Sequence, residues 1–156
     1  MRVDPLCIST LPEPDREELL RILCRPQLVA DLYPLSPRIG AADAVADWLG
    51  PPRGHRAFVV GVRSEDGTLR GSMRLDGGAL SYFVDPDHWG QGYGKAMMGW
   101  AVDEVFGGYG SGCVTAITGR ENAASIRLLE IAGFRFAGIC GDLHTRTTLL
   151  QYVLRT

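Results

Sequence analysis

The sequence predicts an α/β (α+β) domain in which one mixed, mostly antiparallel central sheet is flanked by helices. Three observations predict it. Residues 57–84 hold three short apolar runs separated by the turn signals Glu65-Asp66-Gly67-Thr68 and Asp76-Gly77-Gly78. A glycine-rich turn follows and runs directly into a helical apolar pattern. Beyond it a strand, a second helix and two more strands complete the order β-β-β-α-β-α-β-β, preceded by helices. At 156 residues the chain has the size of a single domain, 1–156, and can bury roughly 70% of its unfolded surface.

Each element has its own signal. Pro14 and Asp15 mark a helix start, Leu19, Leu20, Ile22 and Leu23 form its apolar stripe, and Pro26 stops it. A second short helix spans 41–49 and is closed by Gly50-Pro51-Pro52; the loop between them carries Leu32-Tyr33-Pro34-Leu35. Strands follow at 57–62, 69–75 and 79–84, a meander ended by Asp85-Pro86. Tyr93, Ala96, Met97, Trp100, Ala101 and Val105 recur on one face of the next helix, which the glycines of 107–112 terminate. Then come a strand at 113–118, a helix at 122–132, and strands at 134–140 and 147–154.

Composition bounds the function. Hydrophobic residues make up 46% and charged residues 22%, an ordinary globular balance. The formal charge of −2 is spread evenly, with 10 basic and 11 acidic residues through position 78 and 6 and 7 after it. No basic block exists, so a nucleic-acid partner is not supported. No apolar run reaches the ~18 to 20 residues that span a bilayer, and residues 1–10 lack the pattern of a signal peptide; a cytoplasmic protein with no membrane partner is expected. Cys7, Cys24, Cys113 and Cys140 form no C-x-x-C pair and lie in apolar settings, so buried free thiols are expected rather than a zinc site or disulfides.

Two constellations carry chemistry. In Trp89-Gly90-Gln91-Gly92-Tyr93-Gly94-Lys95, alternating glycines let backbone N–H groups approach an anion at a helix N-terminus. Lys95, the chain's only lysine, sits where its ammonium could pair with a phosphate. The dinucleotide fingerprint G-x-G-x-x-G is absent, and Ala96 replaces the hydroxyl residue of the nucleoside-triphosphate loop. The bland alternative is a turn that only joins strand to helix. The second constellation runs from Glu121 to Phe134, where Asn122 is a good N-cap, Ile126 and Leu129 are core, and Gly133 is a left-handed stop. Capping alone also explains these residues.

Taken together, W-G-x-G-x-G opening a helix, then a strand, then N-x-x-S-x-x-L-x-x-x-G-F resembles the GNAT superfamily of acetyl-CoA-dependent N-acetyltransferases. The similarity is closest to the branch of ribosomal-protein N-terminal acetyltransferases, whose A-x-x-W-L helix is similar to Ala44-Val45-Ala46-Asp47-Trp48-Leu49. The resemblance runs from about Phe58 to the C-terminus. It implies that the coenzyme A pyrophosphate rests on Gly90, Gln91, Gly92, Tyr93, Gly94 and Lys95. It further implies that the strand ending Tyr82-Phe83-Val84 pairs with the pantetheine arm and splays from the strand at 113–118. A backbone N–H of Phe83 or Val84 would polarise the acetyl carbonyl, Asn122 would bond the pantetheine side, and Ser125 would face the sulfur.

The sequence departs from that family at three positions. Trp89 stands where glutamine or arginine is usual at the start of the loop motif, as this branch often shows. The tyrosine that many members use as general acid corresponds to Leu129, which leaves Ser125 as the catalytic hydroxyl or a structural serine. The acidic residue common before the loop strand is Ala79. The general base stays unassigned, with His88, His144, Asp142, His55 and Asp76 as weak candidates. The expected acceptor is a primary amine, either a protein N-terminus or a small molecule. A catalytically degenerate acyl-CoA-binding regulatory module is the alternative. Monomer and homodimer both remain open, because the apolar strand at 147–154 suits a partner or an interior position.

Overall fold

In the computed structural model, residues 1–6, 13–28, 41–51, 57–108, 112–142 and 147–156 are described. Seven strands form one sheet in the order β1-β2-β3-β4-β5-β7-β6, where β1 is Arg2–Pro5, β2 Phe58–Arg63, β3 Leu69–Asp76, β4 Ala79–Val84, β5 Cys113–Gly119, β6 Arg135–Asp142 and β7 Thr147–Arg155. Every neighbouring pair is antiparallel except β4 and β5. The expected meander is β2-β3-β4. Strand β1 was not expected: four residues containing a proline give little alternation, yet they pair with β2 at the sheet edge, where proline is tolerated. The apolar β7 lies between β5 and β6 and is therefore interior.

Among the described residues the sheet is covered by α1 (Glu13–Leu23), α2 (Ala41–Trp48), α3 (Tyr93–Glu104) and α4 (Ala123–Ile131). Period-two alternation in the strands feeds two apolar cores. Met73, Leu75 and Leu80 join Tyr93 and Met97 of α3 and Leu129 of α4 in one core. Phe83 and Val59 join Leu19, Ile22 and Leu23 of α1 and Val45 and Trp48 of α2 in the other. Burying each large aliphatic side chain stabilises the fold by about 1.5–3 kcal/mol relative to exposure. Leu20, expected in the apolar stripe of α1, is instead partly exposed at its margin.

Polar groups tie the α1–α2 layer to the sheet. Arg63 of β2 reaches Asp4 at 3.2 Å, Asp15 at 2.6 Å and Glu18 at 3.5 Å, joining β1 and α1 to the sheet. Arg74 of β3 donates to the Trp48 and Gly50 carbonyls, satisfying acceptors that the C-terminus of α2 leaves open.

The cysteines correct the reading from sequence. Cys24 and Cys113 are exposed and Cys140 is half-buried, and all three are free thiols. Cys24 lies just past the last buried turn of α1, Cys113 opens β5 beside inward-facing Val114, and Cys140 sits on edge strand β6. Apolar neighbours in sequence therefore did not bring burial. Cys7 lies outside the described residues.

Candidate functional site

The parallel pair β4–β5 is short. Only Ala79↔Thr115 and Leu80↔Ala116 are in register, and beyond them the two strands diverge. The backbone of the diverging part can be assigned from hydrogen bonds at its two ends. Asp85 N–H donates to the Arg70 carbonyl at 2.7 Å, and Thr115 N–H donates to the Gly78 carbonyl at 2.7 Å. Antiparallel alternation along the unbroken β3–β4 register then turns the N–H of Phe83 toward β3 and those of Tyr82 and Val84 toward β5. Of the two donors expected from sequence, Val84 faces the gap and Phe83 does not. The Arg120 N–H bond to the Thr148 carbonyl gives the matching result on β5, so Ile117 and Gly119 present their backbone to the same gap.

This gap widens into a cleft of about 1110 Å³. Tyr82, Phe83, Val84, Gly90, Gly92, Tyr93, Gly94, Lys95, Asn122 and Ser125 all line it. Gln91 does not; its Oε1 faces His88 Nδ1 at 3.2 Å. Phe83 contributes little beyond backbone, since its ring packs edge-on against Trp48 with centroids 4.9 Å apart. The glycines behave as the sequence requires. Gly90 (φ +76) and Gly92 (φ +90) are in the left-handed region, and Gly92 is the N-cap of α3. The first intrahelical bond runs from Ala96 N–H to the Gly92 carbonyl, so the N–H groups of Tyr93, Gly94 and Lys95 have no helical acceptor and point out of the helix end.

The turn is braced from below. Asp85, 1% exposed, accepts from Arg21 at 3.1 Å and from Asp87 N–H at 3.1 Å. Arg25 grips Asp87 with two bonds of 2.8 and 2.6 Å, which holds the Asp87 carboxyl below its usual range. Arg70 donates to His88 Nε2 at 2.7 Å. An arginine can only donate, so His88 Nε2 accepts and Nδ1 carries the hydrogen that meets Gln91. His88 is thus a brace of the turn rather than a free base. Trp89, which the sequence reading left outside the site, lines the cleft, and its indole N–H donates to the Val84 carbonyl at 2.9 Å. With its carbonyl engaged by Trp89, the Val84 backbone presents its N–H to a ligand.

Across the gap, Asn122 caps α4 by accepting from Ser125 N–H at 3.1 Å, and Gly133 (φ +97) closes the helix as expected. Phe134 N–H reaches the Leu129 carbonyl and Gly133 N–H the Glu130 carbonyl, the two bonds of a left-handed helix stop. Leu129 is fully buried, so no side chain at that position reaches the cleft. A phenol arrives from the sheet instead: Tyr82 Oη lies 2.6 Å from Ser125 Oγ. The sequence reading assigned Tyr82 through its backbone alone. The signal available was parity, because residue 82 shares the α3–α4 face of the sheet with Leu80.

Burial is the main cause that pushes the Tyr82 phenol up to about 12, and the Ser125 hydroxyl partly offsets it. The proton is therefore retained in the folded state where the unfolded phenol, near 10, has lost it. Below pH 10 this contribution is fully present. Between pH 10 and 12 stability is expected to fall by roughly 1.4 kcal/mol per pH unit. Urea midpoints measured against pH should show that limb, and Tyr82→Phe should remove its share.

Of the remaining base candidates, Asp76 is paired with Arg74 at 2.7 Å. His55 and His144 lie outside the described residues, as does the side chain of Asp142. Leu32 and Tyr33, in the loop expected to cover the acceptor side of the cleft, also lie outside them. Among the described residues no cluster of three or more His, Cys, Asp or Glu could hold a metal. No described helix is long and apolar enough to cross a membrane.

Comparison with solved structures shows the same fold. A GCN5-related N-acetyltransferase from Kribbella flavida has a TM-score of 0.74 at 19% identity, with 99% of this chain and 97% of that one covered. Spermidine N-acetyltransferase from Vibrio cholerae, solved with CoA and spermine, gives 0.74 at 13% identity over 99% and 94%. The ribosomal-protein-S18-alanine N-acetyltransferase of Escherichia coli gives 0.67 at 19% identity over 99% and 92%. No curated protein sequence matches. Residues 6–135 match the acetyltransferase (GNAT) domain, a span holding the splayed strands, the glycine turn and the capped helix, and the chain belongs to that family.

Proposed function

We propose that this protein transfers the acetyl group of acetyl-CoA to a primary amine, with both substrates bound together. The observation that carries the reading is the gap between β4 and β5, where the inward backbone donors of Tyr82 and Val84 lead to the open N-terminus of α3. The residues present fit the cofactor: a cradle without side chains at Gly90 and Gly92, three free N–H groups and the Lys95 ammonium suit a pyrophosphate. Asn122, whose Oδ1 is committed to its cap, offers Nδ2 to the pantetheine side.

Acetyl-CoA supplies a thioester carbonyl open to attack. Val84 N–H polarises the carbonyl oxygen as negative charge develops, a donor worth ~3 to 4 kcal/mol of barrier. The amine nitrogen forms the new bond to carbon, the carbon–sulfur bond breaks, nitrogen gives up one proton and sulfur gains one. Ser125 holds a proton at Oγ beside the leaving sulfur, and the walls of the cleft orient the two substrates. Ser125→Ala is expected to lower kcat about 100-fold with acetyl-CoA affinity nearly unchanged. Equal losses of stability and activity would assign Ser125 a structural role instead.

The acceptor is a protein N-terminus or a small amine. The first is favoured by Ala44-Val45-Ala46-Asp47-Trp48-Leu49, which resembles the A-x-x-W-L helix of the ribosomal-protein branch. A second reading, an acyl-CoA-binding regulatory module, draws on the site itself. Among the described cleft residues His88 is committed to its brace, and Glu121 is the one carboxylate. One experiment separates these readings. Calorimetric titration with acetyl-CoA, with ATP and NAD as controls, should show saturable binding of acetyl-CoA alone, followed by thiol release in a screen of amines and N-terminal peptides. Binding without release for any amine would support the module; absence of binding would overturn both.

A further inference from the structure

Tyr82 Oη and Ser125 Oγ are 2.6 Å apart, and either oxygen could donate. The surroundings decide the direction. Among the described residues the only other partner of the phenol is the Ser125 carbonyl at 3.4 Å, an oxygen already placed in the α4 ladder. Were Ser125 the donor, the half-buried phenol would keep only that long contact for its own hydrogen, and an unsatisfied buried donor costs about 1–3 kcal/mol. With Tyr82 as donor both hydrogens are accommodated, since Ser125 lines the cleft and its hydrogen can point into open space. Among the described residues Ser125 Oγ has no other hydrogen-bond partner, so nothing holds its proton back against the helix.

We propose that Tyr82 is a positioning residue: its phenol donates to Ser125 Oγ and thereby turns the Ser125 proton into the cleft, toward the sulfur of the thioester. The inference rests on the acetyltransferase reading given above. In this arrangement Ser125 offers a hydrogen bond to sulfur as the carbon–sulfur bond lengthens, and no proton needs to leave Tyr82 at any stage. The raised phenol pKa is consistent with a group that remains a donor throughout the working pH range.

The test uses coenzyme A itself, followed by its thiolate absorbance, with turnover measured alongside. In the wild-type protein the bound thiol is expected to ionise about one pH unit below free coenzyme A, because an oriented hydroxyl favours the charged form. Tyr82→Phe and Ser125→Ala should each return it to the free value while coenzyme A affinity at neutral pH stays within about twofold. For kcat, Tyr82→Phe should cost about tenfold, the scale of one well-aligned hydrogen bond. In the Ser125→Ala background the same change should cost nothing further, since Tyr82 acts only through Ser125. An unshifted bound thiol in the wild type, or an additional loss in the double variant, would overturn the inference while leaving the acetyltransferase reading intact. Failure of wild-type protein to bind coenzyme A would overturn both.

Discussion

Gly92→Glu is expected to abolish acetyl-CoA binding in calorimetry. Residue 92 is the N-cap of α3, where the N–H groups of Tyr93, Gly94 and Lys95 have no helical acceptor. A carboxylate there would compete for those donors and repel an incoming pyrophosphate. At about 4 Å and an effective dielectric near 20, one such repulsion is worth ~4 kcal/mol, close to a thousandfold in affinity. The substitution also strains the backbone, because φ is +90, and a left-handed non-glycine residue costs roughly 1–2 kcal/mol. Gly67→Glu separates the two effects. Gly67 has φ +86, lies in the turn between β2 and β3, and has open space where a side chain would go, but it does not line the cleft. It should lose similar stability and bind acetyl-CoA as the wild type does. Wild-type affinity in Gly92→Glu would overturn the assignment of the glycine turn to the pyrophosphate.

The sequence exposed what is written in short-range pattern. The glycine turn, the Asn122 cap and the Gly133 stop are local devices, and each stands where its residues implied. The meander was legible because its strands are separated by tight turns with a strong glycine and aspartate signal. Features that depend on distant segments were not legible. Strand β1 exists only because β2 offers it an edge, and nothing within Arg2–Pro5 encodes that. Cys24 and Cys113 have apolar neighbours along the chain but face away from both cores. The pairing of Tyr82 with Ser125 spans 43 residues, so a reading that took each motif separately could not join them. The choice between Phe83 and Val84 likewise needed the pairing of β4 with β3, which fixes the parity of every N–H along the strand. Sequence thus located the glycine turn, and tertiary pairing determined which atoms face the cleft.

That parity depends on how firmly β4 is held, and Trp48 is the residue that holds it from the α1–α2 side. Its ring is 4% exposed and packs edge-on against Phe83. Its indole N–H donates to Ser72 Oγ at 2.9 Å, and that hydroxyl donates in turn to the Val60 carbonyl at 2.8 Å. One side chain therefore bonds β3 and packs on β4, through residues that sit opposite each other in the register (Ser72↔Phe83). Trp48→Ala is expected to destabilise the protein by about 3–5 kcal/mol, through the cavity and the lost partner of Ser72. For a domain of this size that lowers Tm by roughly 6–20 °C in a calorimetric scan. Trp48→Phe keeps an aromatic edge against Phe83 and forfeits mainly the hydrogen bond, so it should recover all but about 1–2 kcal/mol. Because Phe83 lies between Tyr82 and Val84, the alanine variant should also bind acetyl-CoA more weakly at temperatures where it is still folded, while the phenylalanine variant should not. A Trp48→Ala protein that melts within a degree or two of wild type would show that α2 merely covers the sheet. Normal melting of Trp48→Phe combined with weakened binding would place the sensitivity in the Ser72 hydroxyl rather than in the ring contact.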